Sequence, residues 1–217
     1  MRLTSALPLV ALSLAASVVA CVDAMPPGTT PAASPASPGP TEALITFVRP
    51  TSTCDTGEWA VIVDGRGRFV ANVPAETQVA YSTTPGEHVF YAWSNDDVQI
   101  EINRNINPVA AVAVTAVAGQ SHYVAVEVAT PCKVRSTFEM RAVAGTGGAW
   151  ADLEGWLAKA KPMTVDRGVG QSLLDEEPVH LRRHLELGHE KLVVQTQIAA
   201  AAEEHEVLLR ESARRTE

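Results

Sequence analysis

Residues 59–73 read Trp59-Ala-Val-Ile-Val-Asp64-Gly65-Arg-Gly67-Arg68-Phe-Val-Ala-Asn-Val73, and this stretch decides the fold. Two runs rich in β-branched residues, Trp59–Asp64 and Arg68–Val73, flank a loop with two glycines. Asp64-Gly65 supplies the positive φ of a tight hairpin, and Gly67 leaves room for a bulge. The same texture extends outward in both directions. Ala43–Arg49 (ALITFVR) precedes it; Thr77–Thr83, His88–Ser94, Val98–Ile102, Val109–Val117, His122–Val128 and Val134–Ala142 follow. Pro85-Gly86 presets a type II turn and Gly119-Gln120 opens another. Short strands spaced by turn residues predict a mainly β protein, an antiparallel β-sandwich of about seven to nine strands over residues 42–144. Tyr123, Ala125 and Glu127 alternate with Val124, Val126 and Val128, which predicts one buried and one solvated face.

After Ala144 the texture changes. Gly145–Gly148 (GTGG) is a break, and Ala149–Ala160 has the composition of a short helix. Asp166–Gln171 reads as a glycine-containing loop. Pro178 suits the first turn of a longer helix toward Arg214. Glu206 with Arg210 and Glu211 with Arg215 make favourable i,i+4 pairs. Leu181, Leu185, Leu192 and Ile198 form a patchy apolar stripe without a sustained heptad, and Gly188 reads as a kink. A helix this poor in apolar positions draws its stability from packing. The stripe is therefore expected to dock on the β domain or on a partner. Residues 149–217 thus form a helical C-terminal extension, and truncation after Gly148 is expected to leave a domain whose strands are complete.

The N-terminus carries a different signal. Arg2 precedes an apolar run from Leu3 to Leu14, and Ala15–Ala20 supplies small residues for a signal peptidase. Residues 18–21, Val-Val-Ala-Cys, resemble the lipobox of bacterial lipoproteins, in which the cysteine thiol takes diacylglycerol before cleavage. The resemblance implies a signal peptide over 1–20, lipidation of Cys21 and a membrane anchor. Val22 rather than Asp follows the cysteine, which in the enterobacterial sorting rule directs a lipoprotein to the outer membrane. Two other readings are a transmembrane helix, for which the run is short and contains Pro8, and a plain secretory signal. Residues 22–41 hold six of the 14 prolines and read as a tether in extended polyproline II, able to hold the folded part up to ~60 Å from the membrane.

With Arg2 removed, 16 basic residues face 25 acidic ones, a net charge of −9 for the mature chain. An acidic chain without Lys/Arg clusters is a poor partner for nucleic acid, which requires cationic patches. Export also bears on the cysteines. Cys21 goes to lipid, leaving Cys54 and Cys132, for which an oxidising compartment favours a disulfide. Closing a loop of ~78 residues contributes about 4 kcal/mol in the chain-entropy model. Two free thiols or a two-ligand metal site are the alternatives.

Four motifs within the β region carry a family likeness: Ala43–Pro50, a strand ending in Arg-Pro; Ile62–Gly65, ending in Val-Asp-Gly; Pro85-Gly86-Glu87-His88; and Gly119–Val124, a glycine before a Tyr-Val strand. The region resembles small β-sandwich domains of bacterial lipoproteins whose function is uncharacterised, and more distantly PEGA-type surface domains. What this implies is a fold and an envelope location, with no activity attached.

Few residues offer chemistry. His180 and His184 stand at i,i+4, the spacing that puts two imidazoles on one helical face for a metal, with Glu186, His189 and Glu190 a turn further on. The order HLRRH lacks the glutamate of a zincin, and Arg182 and Arg183 repel a dication, so a polar helix face is the plainer reading. His88 after Pro-Gly suits a turn cap. Asp64, Asp96 and Asp97 lack calcium-loop spacing, and GTGG lacks the lysine of a P-loop. Trp59, Tyr81, Tyr91 and Trp93 are either core or a stacking platform for sugars. The sequence therefore predicts no enzyme and no cofactor. It predicts an outer-membrane lipoprotein serving as a structural or interaction module, with an envelope protein or a glycan as partner. A carbohydrate- or peptidoglycan-binding module is the first alternative, and a metal-binding protein using His180 and His184 the second.

Overall fold

A computed structural model describes residues 25–33, 36–51, 57–95, 109–129, 137–145 and 148–215, with side chains to Ala202. Cys21, Cys54, Cys132, the Val98–Ile102 strand and the Asp96-Asp97 pair lie outside the described residues.

The described chain is mainly β, with helices concentrated at the C-terminal end. Ten strands form two sheets. One has four strands in the order β4 (Phe69–Val73), β3 (Ala60–Asp64), β6 (Gly86–Ser94) and β7 (Ala110–Ala116). All its pairs are antiparallel. The other has six: β1 (Thr29–Pro31), β10 (Lys161–Val165), β5 (Thr77–Thr83), β2 (Ala43–Arg49), β8 (Ser121–Val128) and β9 (Phe138–Val143). This sheet is mixed rather than antiparallel. β2 pairs β8 in parallel, as does β10 with β5. Both pairs join strands far apart in sequence, whose long connections permit a parallel crossover.

Alternate residues of both sheets meet in one apolar core. Ile45, Phe47, Val124, Val126 and Phe138 from the six-stranded sheet pack with Ile62, Val70, Phe90, Val112 and Val114 from the other. Phe47 and Phe90 meet edge-on with centroids 5.1 Å apart. The opposite faces are covered only in part: helices bury Ala125 and Val143 on one and Tyr91 and Trp93 on the other, while Glu139, Arg141, Ala113 and Thr115 stay exposed. α1 (Gly148–Leu157) lays Leu153 over Val48, Ala125 and Val143. Across the molecule, α3 (Pro178–Arg215) covers Tyr91, Trp93, Val109 and Ala111 of the four-stranded sheet with Leu181, Leu185, Leu187 and Leu192.

Three segments depart from the sequence reading. The stretch expected to be a tether, residues 21–41, contains β1, because Thr29 and Thr30 form an edge strand that ends on Pro31, where a missing N–H is tolerated. Asp166–Gln171 opens a helix, α2 (Arg167–Glu176), whose N-cap Asp166 accepts from the amides of Gly168 and Val169. The strands of residues 42–144 do not complete the six-stranded sheet. β10 lies between β1 and β5, so a chain cut after Gly148 loses an interior strand together with the cover of both outer faces.

In the hairpin the left-handed residue is Gly67 (φ 77°), and Gly65 keeps ordinary backbone angles. A register shift between Ile62 and Val63 supplies the irregularity. The helix α3 runs through Gly188 without a break. That glycine lacks a side chain because the Tyr91 ring occupies the space: a Cβ there would stand 2.3 Å from Tyr91 Cδ1.

Candidate functional site

A cluster of polar and aromatic side chains sits where the end of β6 meets α2 and α3. Strand alternation places Tyr91 and Trp93 on the outer face of β6, and α3 lies across them. The i,i+4 spacing brings His180 and His184 to one side of α3, as the sequence implied. Their environments differ. His184 is 3% exposed and stacks on Trp93 with ring centroids 4.3 Å apart. Its Nδ1 lies 2.8 Å from the His180 carbonyl oxygen. A carbonyl only accepts, so Nδ1 carries the proton. His180 is half exposed, with Nδ1 3.1 Å from Glu177 Oε2. Between them lies a cleft of about 160 Å³ lined by Trp93, Ser94, Asn95, Leu173, Leu174 and Glu177, among others. A small-molecule site usually offers roughly 300 Å³ or more. Among the described residues, no group of three His, Cys, Asp or Glu side chains comes together to hold a metal. His184 is a packing ring that seals the helix against an indole, and the half-exposed His180 lies at the cleft rim beside Glu177.

Other candidates serve local structure. Asp64 is buried at the hairpin, where Oδ1 accepts from the amides of Arg66 and Arg68 at 2.9 and 3.0 Å and Oδ2 pairs with the Arg68 guanidinium. That carboxylate raises the Arg68 pKa further above its ordinary value. His88 Nε2 lies 2.8 Å from the Thr84 carbonyl and so caps the Pro85-Gly86 turn, as expected. His122 Nε2 accepts from the Val117 amide at 2.9 Å. Three of the four aromatics considered for sugar stacking, Tyr81, Tyr91 and Trp93, do not share a surface. Tyr91 and Trp93 lie under α3, while Tyr81 meets Phe90 edge-on and carries the Arg167 guanidinium 4.5 Å above its ring.

Arg49 is the residue whose role the sequence left unseen. It is wholly buried at the end of β2. Its Nη1 donates to the carbonyls of Glu58 and Val73, and its guanidinium lies 4.9 Å from the centre of the Phe138 ring. It thereby joins the ends of β2, β4 and β9 with the approach to β3. An arginine closing a strand before proline was the available signal, but strand alternation alone gives no reason to bury a cation.

Compared with protein-family models, curated proteins and solved structures, the chain matches none of them. None of the described helices is long and apolar enough to cross a membrane.

Proposed function

We propose that this protein is a non-catalytic lipoprotein of the outer membrane, held by lipid on Cys21. In this reading its two sheets form a β-sandwich that acts as a structural or interaction module in the envelope. The observation that carries it is the sequence Val18-Val19-Ala20-Cys21 directly after an apolar leader. Three features lend support. The shared core, with Phe47 against Phe90, favours two sheets stacked face to face. The groups with chemical potential are spent on packing: Asp64 on its hairpin, His184 on Trp93 and the His180 carbonyl, His88 on its turn. Val22 in place of Asp favours the outer membrane by the sorting rule that the lipobox resemblance brings. The family of small lipoprotein β-sandwiches belongs to the same reading, and a Cys54–Cys132 disulfide is consistent with export.

The test is Cys21→Ser in the full chain. Palmitate labelling should disappear and the protein should remain uncleaved or leave the outer-membrane fraction. Labelling that persists in the variant overturns the reading.

A further inference from the structure

The anchor proposed above sets a geometric limit on how the folded body can sit. Pro26 is buried, and Thr29 donates its amide to the Pro26 carbonyl at 3.1 Å, so the chain is held by the fold from Pro26 onward. Five residue steps separate it from Cys21. Fully extended, they span about 17 Å. α3 alone, 38 residues at about 1.5 Å each, is about 57 Å long. A lipid on Cys21 therefore keeps Pro26 within about 17 Å of the bilayer, a short reach beside the body, and the side on which Pro26 lies is the one nearest to it.

That side is defined by contacts of the N-terminal segment. Asp166 donates its amide to the Gly28 carbonyl at 2.7 Å, and a Cβ on Gly28 would stand 3.1 Å from Val169 Cβ. The segment thus lies against the start of α2. There α2 turns apolar side chains outward: Val169 is 41% and Leu173, one turn on, 44% exposed, while Met25 on the segment itself is 47% exposed. α2 carries Arg167 at its start, over the Tyr81 ring, and the acidic Asp175 and Glu176 at its end, so this surface has no excess of positive charge to draw it to anionic headgroups. Its apolar side chains fit the headgroup–acyl boundary, as in interfacial helices.

We infer that the outer face of α2, with Val169, Leu173 and Met25, is the surface this protein lays on the membrane. The inference rests on lipidation of Cys21. The experiment uses the full chain in a bacterial envelope, labelled with palmitate, with photoreactive benzoylphenylalanine in place of Leu173 or, as control, in place of Ile198 on the far part of α3. Val169 serves as a second position on α2. Irradiation should give a several-fold excess of phospholipid adduct at 173 and 169 over 198. Palmitate incorporation with equal adducts at all three positions, or with adducts only to protein at 173 and 169, overturns the orientation while the anchor stands. Absence of palmitate overturns the anchor, and the orientation falls with it.

Discussion

The two faces of β6 are buried in different ways. Phe90 points inward and meets Phe47 and Tyr81, ring against ring. Tyr91 points outward and meets a helix backbone, at a position where α3 has no side chain. The inner face is filled by side chains from two sheets, so its stability follows the apolar volume present. The outer face depends on a close approach, so it follows the volume absent. Gly170 repeats the device on α2: a Cβ there would stand 2.2 Å from Phe69 Cε1. The outer face of a sheet can thus be covered closely where glycines on the covering helix make room for large aromatics.

The largest effect is expected at the inner face. Phe90→Ala removes a ring from the shared core and should cost about 4 kcal/mol, measured by denaturant unfolding. The whole molecule should lose stability together, since both sheets share that cluster. Gly188→Ala should cost about 2 kcal/mol by overpacking. Its mark is local: α3 lifts from β6, and Trp93 fluorescence shifts toward that of a solvated indole before the sheets melt. Equal costs and one common transition in both variants would erase the distinction between the faces.

A smaller effect sharpens it. Lys191, half-buried on α3, has its pKa pushed below the ordinary 10.5 by burial, partly offset by Glu139. A lowered pKa means that the unfolded chain holds this proton more tightly, so its charge opposes folding. That penalty shrinks as pH rises toward 10.5. Lys191→Met should therefore stabilise slightly at pH 7, with less gain at pH 10.5, the ordinary lysine value. Denaturant melts at the two pH values decide it, and a gain that grows with pH would reverse the sign.

What the sequence made legible was period two. The strands from Ala43 to Val143 that lie in the described residues follow the alternation of β-branched residues, and the turns at Asp64 and Pro85 follow local chemistry. The segments that escaped are those whose structure is set at a distance. Thr29–Pro31 looks like tether because residues 22–41 hold six prolines, yet one antiparallel partner suffices for an edge. Lys161–Val165 has a proline in second place and gains strand character by pairing with β1 and β5. Gly168 and Gly170 suggested a loop, whereas Gly170 is small for the sake of Phe69. In α3, Leu181, Leu185 and Leu192 dock as their spacing implied, but Ile198 does not and is 64% exposed. Helical spacing tells which residues share a face, while the extent of the sheet beneath decides where that face ends. The candidate site was half legible. The spacing of His180 and His184 placed them on one side, but only the position of Trp93 shows that one of them is a packing ring.

The pairing of Thr29 with Val165 has a consequence in time. It joins one of the first described residues to one that emerges much later, so nearly the whole domain must be looped out before this sheet edge closes. Closure entropy grows slowly with loop length, but such distant pairing raises contact order and delays folding. Until Lys161–Val165 has arrived, the outer edge of β5 stands without its neighbour, with bare backbone donors and acceptors. A chain synthesised from its N-terminus lives through that interval each time it is made. Its length is set by how quickly the C-terminal third follows.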